Sequence, residues 1–169
     1  MASKHTIIVI ISIIVIASSL GYSSLNLVSA NGLKFKWATK FDYSSILYGG
    51  RLEACNDSNY SASFAKYEFT IFYDSRPLGK FTSSGAIVPP HSGVAVPGKF
   101  AADDRQVAQI FSSLLDADTR GTDVGSVDAN KMQVSATLHY AIMGMVPLST
   151  THEYSGPEFL EMMNQSTGC

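Results

Sequence analysis

Met132-Gln-Val-Ser-Ala-Thr-Leu-His-Tyr-Ala-Ile142 places Met132, Val134, Ala136, Leu138, Tyr140 and Ile142 at every second position, opposed by Lys131, Gln133, Ser135, Thr137 and His139. Side chains of a strand point alternately to opposite faces, so this period of two marks a strand with one buried and one wetted face. The same period recurs outward in both directions. Leu33, Phe35 and Trp37 alternate with Lys34 and Lys36; Ile46, Tyr48, Leu52 and Ala54 form a second run. Tyr67, Phe69, Ile71 and Tyr73 form a third, which Asp74-Ser-Arg-Pro77 turns toward Leu78-Gly-Lys-Phe-Thr82 as a hairpin. Val94-Ala-Val96 follows the turn Pro89-Pro90-His91-Ser92-Gly93, and Val146 to Tyr154 follows the hinge at Gly144. Pro97 lacks a ladder donor and so predicts an edge strand or a bulge at its position.

One segment changes period. Val107, Ile110, Phe111, Leu114 and Leu115 are spaced by three and four, and Asp103 with Gln106 suits a capping box, so residues 103–115 are predicted to be a short amphipathic helix. The order is therefore five strands, a helix and two strands. It predicts an all-β fold, an immunoglobulin-like (fibronectin-type-III-like) antiparallel sandwich of about seven strands with one short helix before the last two. Of the 169 residues, a leader takes 1–30, the sandwich 31–155 and a C-terminal tail 156–169. That is enough chain for one domain with a real core.

The leader is the second informative stretch. Ile7, Ile8, Val9, Ile10, Ile11, Ile13, Ile14, Val15 and Ile16 are broken only by Ser12, and no Asp, Glu, Lys or Arg occurs between Lys4 and Lys34. At about −0.3 to −0.6 kcal/mol each, nine such residues favour membrane insertion by about 3 to 5 kcal/mol. An N-terminal hydrophobic helix is expected, with the lipid bilayer as its partner. It reads either as a retained anchor from Thr6 to about Val28 or as a signal peptide cleaved after Val28-Ser29-Ala30. Either reading carries the C-terminal domain out of the cytoplasm, to the cell membrane or, after cleavage, into the medium. Three Asn-x-Ser sequons, at Asn56, Asn59 and Asn164, mark glycosylation positions in an exported chain.

Composition narrows the chemistry. With 12 Lys+Arg against 14 Asp+Glu the chain lacks the basic footprint of a nucleic-acid binder. Two cysteines, Cys55 and Cys169, make no disulfide framework, although a bridge between them becomes available in an oxidising compartment. Of the scattered histidines only His139 and His152 flank one hairpin, and surface strand histidines are commoner than ligands, so no metal is expected. Asp116-Ala-Asp118-Thr-Arg120-Gly121 opens like a calcium loop, but Arg120 stands where an oxygen ligand belongs and Val127 where the bidentate Glu should be. No nucleophile elbow and no phosphate-binding glycine loop occurs, so neither an enzyme nor a cofactor site is expected.

Four stretches taken in order resemble the group-two late-embryogenesis-abundant proteins and their WHy (water stress and hypersensitive response) domain. They are Leu52-Glu-Ala-Cys-Asn-Asp-Ser-Asn-Tyr60, Tyr67-Glu-Phe-Thr-Ile-Phe-Tyr73, Leu78-Gly79, and Val88-Pro-Pro-His-Ser-Gly-Val-Ala-Val-Pro97. The motif turns fall on Asn56, Asn59, Gly79, Pro89, Pro90 and Pro97, although the first lacks the proline of the family pattern. The resemblance implies a membrane-anchored, non-enzymatic domain of the extracytoplasmic space that protects against desiccation or other stress and binds nearby envelope proteins. The alternative is a structural subunit of a surface filament or membrane complex.

Overall fold

In the computed structural model, described over residues 4–43, 45–103, 129–142, 146–165 and 169, helix α1 (Lys4–Asn31) leads into a β domain. Its strands are β1 (Lys34–Trp37), β2 (Gly50–Asn56), β3 (Ala62–Phe64), β4 (Lys66–Tyr73), β5 (Arg76–Ser83), β6 (Ala86–Val88), β7 (Ser92–Ala102), β8 (Met132–Ile142) and β9 (Val146–Ser155). Helix α2 (Gly156–Asn164) follows. Seven strands form an antiparallel sheet in the order β1-β2-β7-β5-β4-β8-β9, and β3 pairs with β6 alone.

The sheet curls into two facing layers. In a flat sheet β1 and β4 would lie about 19 Å apart, four strand spacings; yet the rings of Phe35 and Tyr67 stack at 4.2 Å, and Trp37 meets Phe81 of β5 at 5.1 Å. The bend is made by β7. Its residues Ser92 to Gly98 pair with β2, and Gly98 to Ala102 pair with β5, so one strand belongs to both layers. A β-carbon on Gly98 would overlap the Phe81 ring, so only glycine lets the strand turn there against a full core. The layers are thus β1-β2-β7 over β5-β4-β8-β9, an all-β, sandwich-like arrangement of the expected class. Met132, Val134, Ala136, Leu138 and Tyr140 all point inward, as their period demands.

Three local readings change and one lies outside the described residues. The run starting at Ile46 is not strand at first: Ser45–Tyr48 is a 3-10 turn, begun by the Asp42 carboxylate accepting from Ser45 N at 2.7 Å, and Gly49 at φ 74° ends it before β2. Pro97 lies in an interior strand rather than at an edge. Its carbonyl accepts from Ser84 N at 3.1 Å, just past the end of β5, so its nitrogen faces a stretch with no ladder partner. Residues 156–164, expected to be a tail, are helical. Finally, of the helix expected over 103–115 only Asp103 is described, and the calcium-like loop also lies outside the described residues.

Helix α2 covers the seam between β1 and β9. Ser155 and Glu158 form a capping box, Pro157 occupies the first turn, and Phe159 and Met163 are buried. Phe159 packs against Phe69 at 4.9 Å and Phe41 at 5.7 Å, joining both layers to the helix. A Cys55–Cys169 disulfide then ties the chain end to β2, with 5.3 Å between the α-carbons.

Candidate functional site

Helix α1 has two chemically different parts. From Ile7 to Ile16 every Ile and Val is about half exposed or more, on all sides of the helix, which a helix in water has no reason to be. The hydroxyls of Ser18, Ser19 and Ser24 bond back to the carbonyls of Ile14, Val15 and Gly21 at 2.6–2.9 Å, so they bring no unsatisfied donor into an apolar medium. By length and composition the helix can cross a membrane.

The last turns of α1 belong to the β domain. Asn26 acts as a strand partner for β3: its Oδ1 accepts from Ser63 N at 2.9 Å and its Nδ2 donates to Ser63 Oγ at 3.0 Å. This covers the free side of a strand whose other side pairs with β6. Ser29 and Ala30 are buried, Ser58 Oγ donates to Ser29 Oγ at 3.0 Å, and Thr150 of β9 reaches Asn31 Oδ1 at 3.3 Å. The polar residues Asn26, Ser29 and Asn31 at the end of an apolar run are the signal in the sequence that could have located this junction.

The loop that receives Ser29 is organised by Asn56. Its side chain is 1 % exposed, and its Nδ2 faces the carbonyls of Tyr60, Val88 and Pro89 at 2.8–3.1 Å while Oδ1 accepts from Ser58 N at 3.1 Å. Asn56 therefore clips the end of β2 to the 57–61 loop and to the β6–β7 corner. A glycan on Nδ2 is incompatible with that burial. The serine that completes the sequon is instead a turn partner, with Oγ 2.7 Å from Asn56 Oδ1. Asn59 is exposed, with Oδ1 2.8 Å from His91 Nε2. Asn164 is exposed as a residue, yet its amide holds the backbone of Phe41 in both directions at 2.8 and 2.9 Å and also donates to Leu160 O. Both of its N–H groups are used, so attachment of a sugar would break one of these bonds.

The remaining motif residues serve the chain's reversals. Pro89 and Pro90 precede His91 at φ 49°, and Ser92 Oγ closes the turn onto Pro89 O at 2.9 Å. Gly79 follows the bulge between Ile71 and Phe72, and a β-carbon there would stand 2.5 Å from the Ala101 carbonyl.

His139 and His152 do not meet. The β8–β9 register sets His139 opposite Ser149 and His152 opposite Ala136. His139 Nε2 instead lies 2.9 Å from Glu68 Oε2, and Lys66 Nζ lies 2.9 Å from Glu68 Oε1, in a network on the outer face of β4 and β8. Burial pushes the Glu68 pKa up, but the Lys66 hydrogen bond and charge, with Lys80 and His139, outweigh it and hold the carboxyl below its ordinary range. Glu53 lies beside the two cysteine sulfurs, but with both sulfurs in the disulfide the group offers no thiolate to a metal.

A cleft of about 290 Å³ opens along the seam, lined by Leu33, Phe35, Tyr67, His152, Tyr154 and Met162 among others. Burial raises the phenol pKa values of Tyr67, with a further push from Tyr154, and of Tyr154 itself. Both therefore stay neutral at physiological pH and supply neither a base nor a nucleophile.

No protein-family model and no curated protein matches this chain. Among solved structures it is similar to a protein from Archaeoglobus fulgidus at 12% identity and a TM-score of 0.34, over 73% of this chain and 94% of the other.

Proposed function

We propose that the chain is a membrane-anchored, non-enzymatic domain of the WHy kind, held outside the cytoplasm by a retained α1, where it protects envelope components during water loss or related stress. The observation that carries the anchored reading is the docking of residues 26–31 into the β domain. Val28-Ser29-Ala30 forms the last turn of a helix, with Ser29 and Ala30 buried, rather than an accessible segment for a peptidase. The Cys55–Cys169 bridge supports an extracytoplasmic location, because such cross-links persist in oxidising compartments. The protective role rests on the resemblance in residues 52–60, 67–73, 78–79 and 88–97, in which Asn56 and Gly79 carry tight structural tasks. A labile enzyme dried in the presence of proteoliposomes bearing the full chain should retain more activity after rehydration than with empty liposomes. Equal losses at every protein ratio would count against the protective role.

A further inference from the structure

Helix α1 sets the height of the β domain above the membrane. A helix crosses the roughly 30 Å hydrocarbon layer in about 20 residues, so a span beginning at Thr6 ends near Leu25. Tyr22 and Ser23 then lie at the outer boundary of the layer, and the docked residues 26–31 rise just beyond it. The domain therefore has no linker on which to stand away from the lipid.

The β elements at that height can be named. Thr150 of β9 bonds Asn31, and Leu138 is its partner on β8. Toward the other end of the junction, Ala141 of β8 and Ile87 of β6 share a groove with Tyr22, Ser23 and Asn26. The strands and the helix thus descend together, and Val146, paired with Ile142, lies one step below Ala141. Ile87 is 71% exposed and Val146 53%, both large apolar side chains left bare at one end of the domain. The tip itself carries no formal charge: residues 58–65, 83–90, 140–142 and 146–150 contain no Asp, Glu, Lys or Arg, and the nearest charges are Lys66, opposite His139, and Asp57, paired with Lys34. The opposite end is different, with Asp74 and Arg76 at the β4–β5 turn and Lys131 before β8. An uncharged apolar end at the level where a membrane helix emerges has the composition of a surface that meets lipid.

We propose that the β domain is seated on the bilayer, with Ile87 and Val146 inserted in the interfacial layer beside Tyr22. This rests on the retained anchor. The bilayer is the occupant because α1 is continuous with this surface and its length fixes the surface at membrane height.

Single tryptophans introduced into the full chain in nanodiscs test the seating through quenching by lipids carrying bromine or a nitroxide near the headgroup. The buried Trp37 supplies a common background. Tyr22→Trp reports whether α1 is in the bilayer, Ile87→Trp and Val146→Trp report the seating, and Tyr48→Trp, at the far end of β2, reports water. Strong quenching at 22, 87 and 146 with none at 48 is expected. Quenching at 22 without quenching at 87 and 146 overturns the seating and leaves the anchor standing. Absence of quenching at 22 overturns the anchor and the seating with it.

Discussion

Asn56 shows how much one polar side chain can hold in a small domain. Its amide lies within reach of three carbonyls, Tyr60 in the loop before β3 and Val88 and Pro89 at the end of β6. Replacing it with alanine leaves the Ser58 N–H without its acceptor and takes a donor from each carbonyl, although Tyr60 O and Pro89 O keep the Ser58 and Ser92 hydroxyls. At about 1 kcal/mol for each bond lost in a buried setting, Asn56→Ala should cost about 2–4 kcal/mol. The measurement is urea unfolding, with the midpoint lowered and the denaturant slope unchanged. Gly98 makes the opposite demand, for absence of a side chain. Gly98→Ala should destabilise by about 1–3 kcal/mol through overlap with Phe81. Trimming that ring in Phe81→Leu should make the double variant cost less than the sum of the singles, by a coupling of about 0.5 kcal/mol or more. Strict additivity would mean that the bend in β7 does not depend on this contact. Glu68 governs a pH response. Its pKa is lowered in the folded chain, so the stability it contributes is complete above the unfolded value of 4.5 and is lost as pH falls from there through the folded value. Glu68→Gln should flatten the fall in unfolding free energy as pH drops below the unfolded value of 4.5. Parallel curves for the two proteins would show that the Lys66–Glu68–His139 network adds nothing.

At the scale of elements, α2 decides where the domain ends. Phe159 is fully buried between Phe41, Phe69 and Tyr154. Phe159→Ala should therefore cost about 3–5 kcal/mol, as large-to-small changes in a core do, whereas a change in a loose tail would cost almost nothing. Thermal unfolding of the variant distinguishes the two. This helix is legible in the sequence. Ser155 and Glu158 in capping-box spacing, Pro157 between them, and Phe159, Leu160, Met162 and Met163 at helical spacing are its complete signature. The strands are more legible because a half-buried sheet forces alternation: the inward residues of β4 and β8 are those of the two-residue period, whereas the bulge buries Leu78 and Gly79 of β5 side by side. Strands β3 and β6, three residues each, are too short to show any period. Strand β7 is legible only as far as Val96, because Pro97 has the local chemistry of a terminator. It is tolerated because its nitrogen faces the gap beyond β5, a fact of tertiary placement that no local pattern contains.

For the whole molecule, the consequence is that leader and domain are one structure. The sequence distinguishes an apolar run from an alternating one and so separates residues 1–30 from 31–155 at the place where composition changes. The chain folds across that line. Asn26 completes the edge of β3, Ser29 meets the loop held by Asn56, and Asn31 meets Thr150. These contacts join residues 29 to 119 positions apart, which is why periodicity and composition could not show them. They also give the anchor a mechanical role, since a helix bonded to β3 and β9 transmits its orientation to the sheet. The direct test is the mass of the mature chain isolated from the membranes of the cell that makes it. Retention of α1 requires a mature chain that still contains residues Lys4–Asn31; a chain beginning at Asn31 would contradict the account.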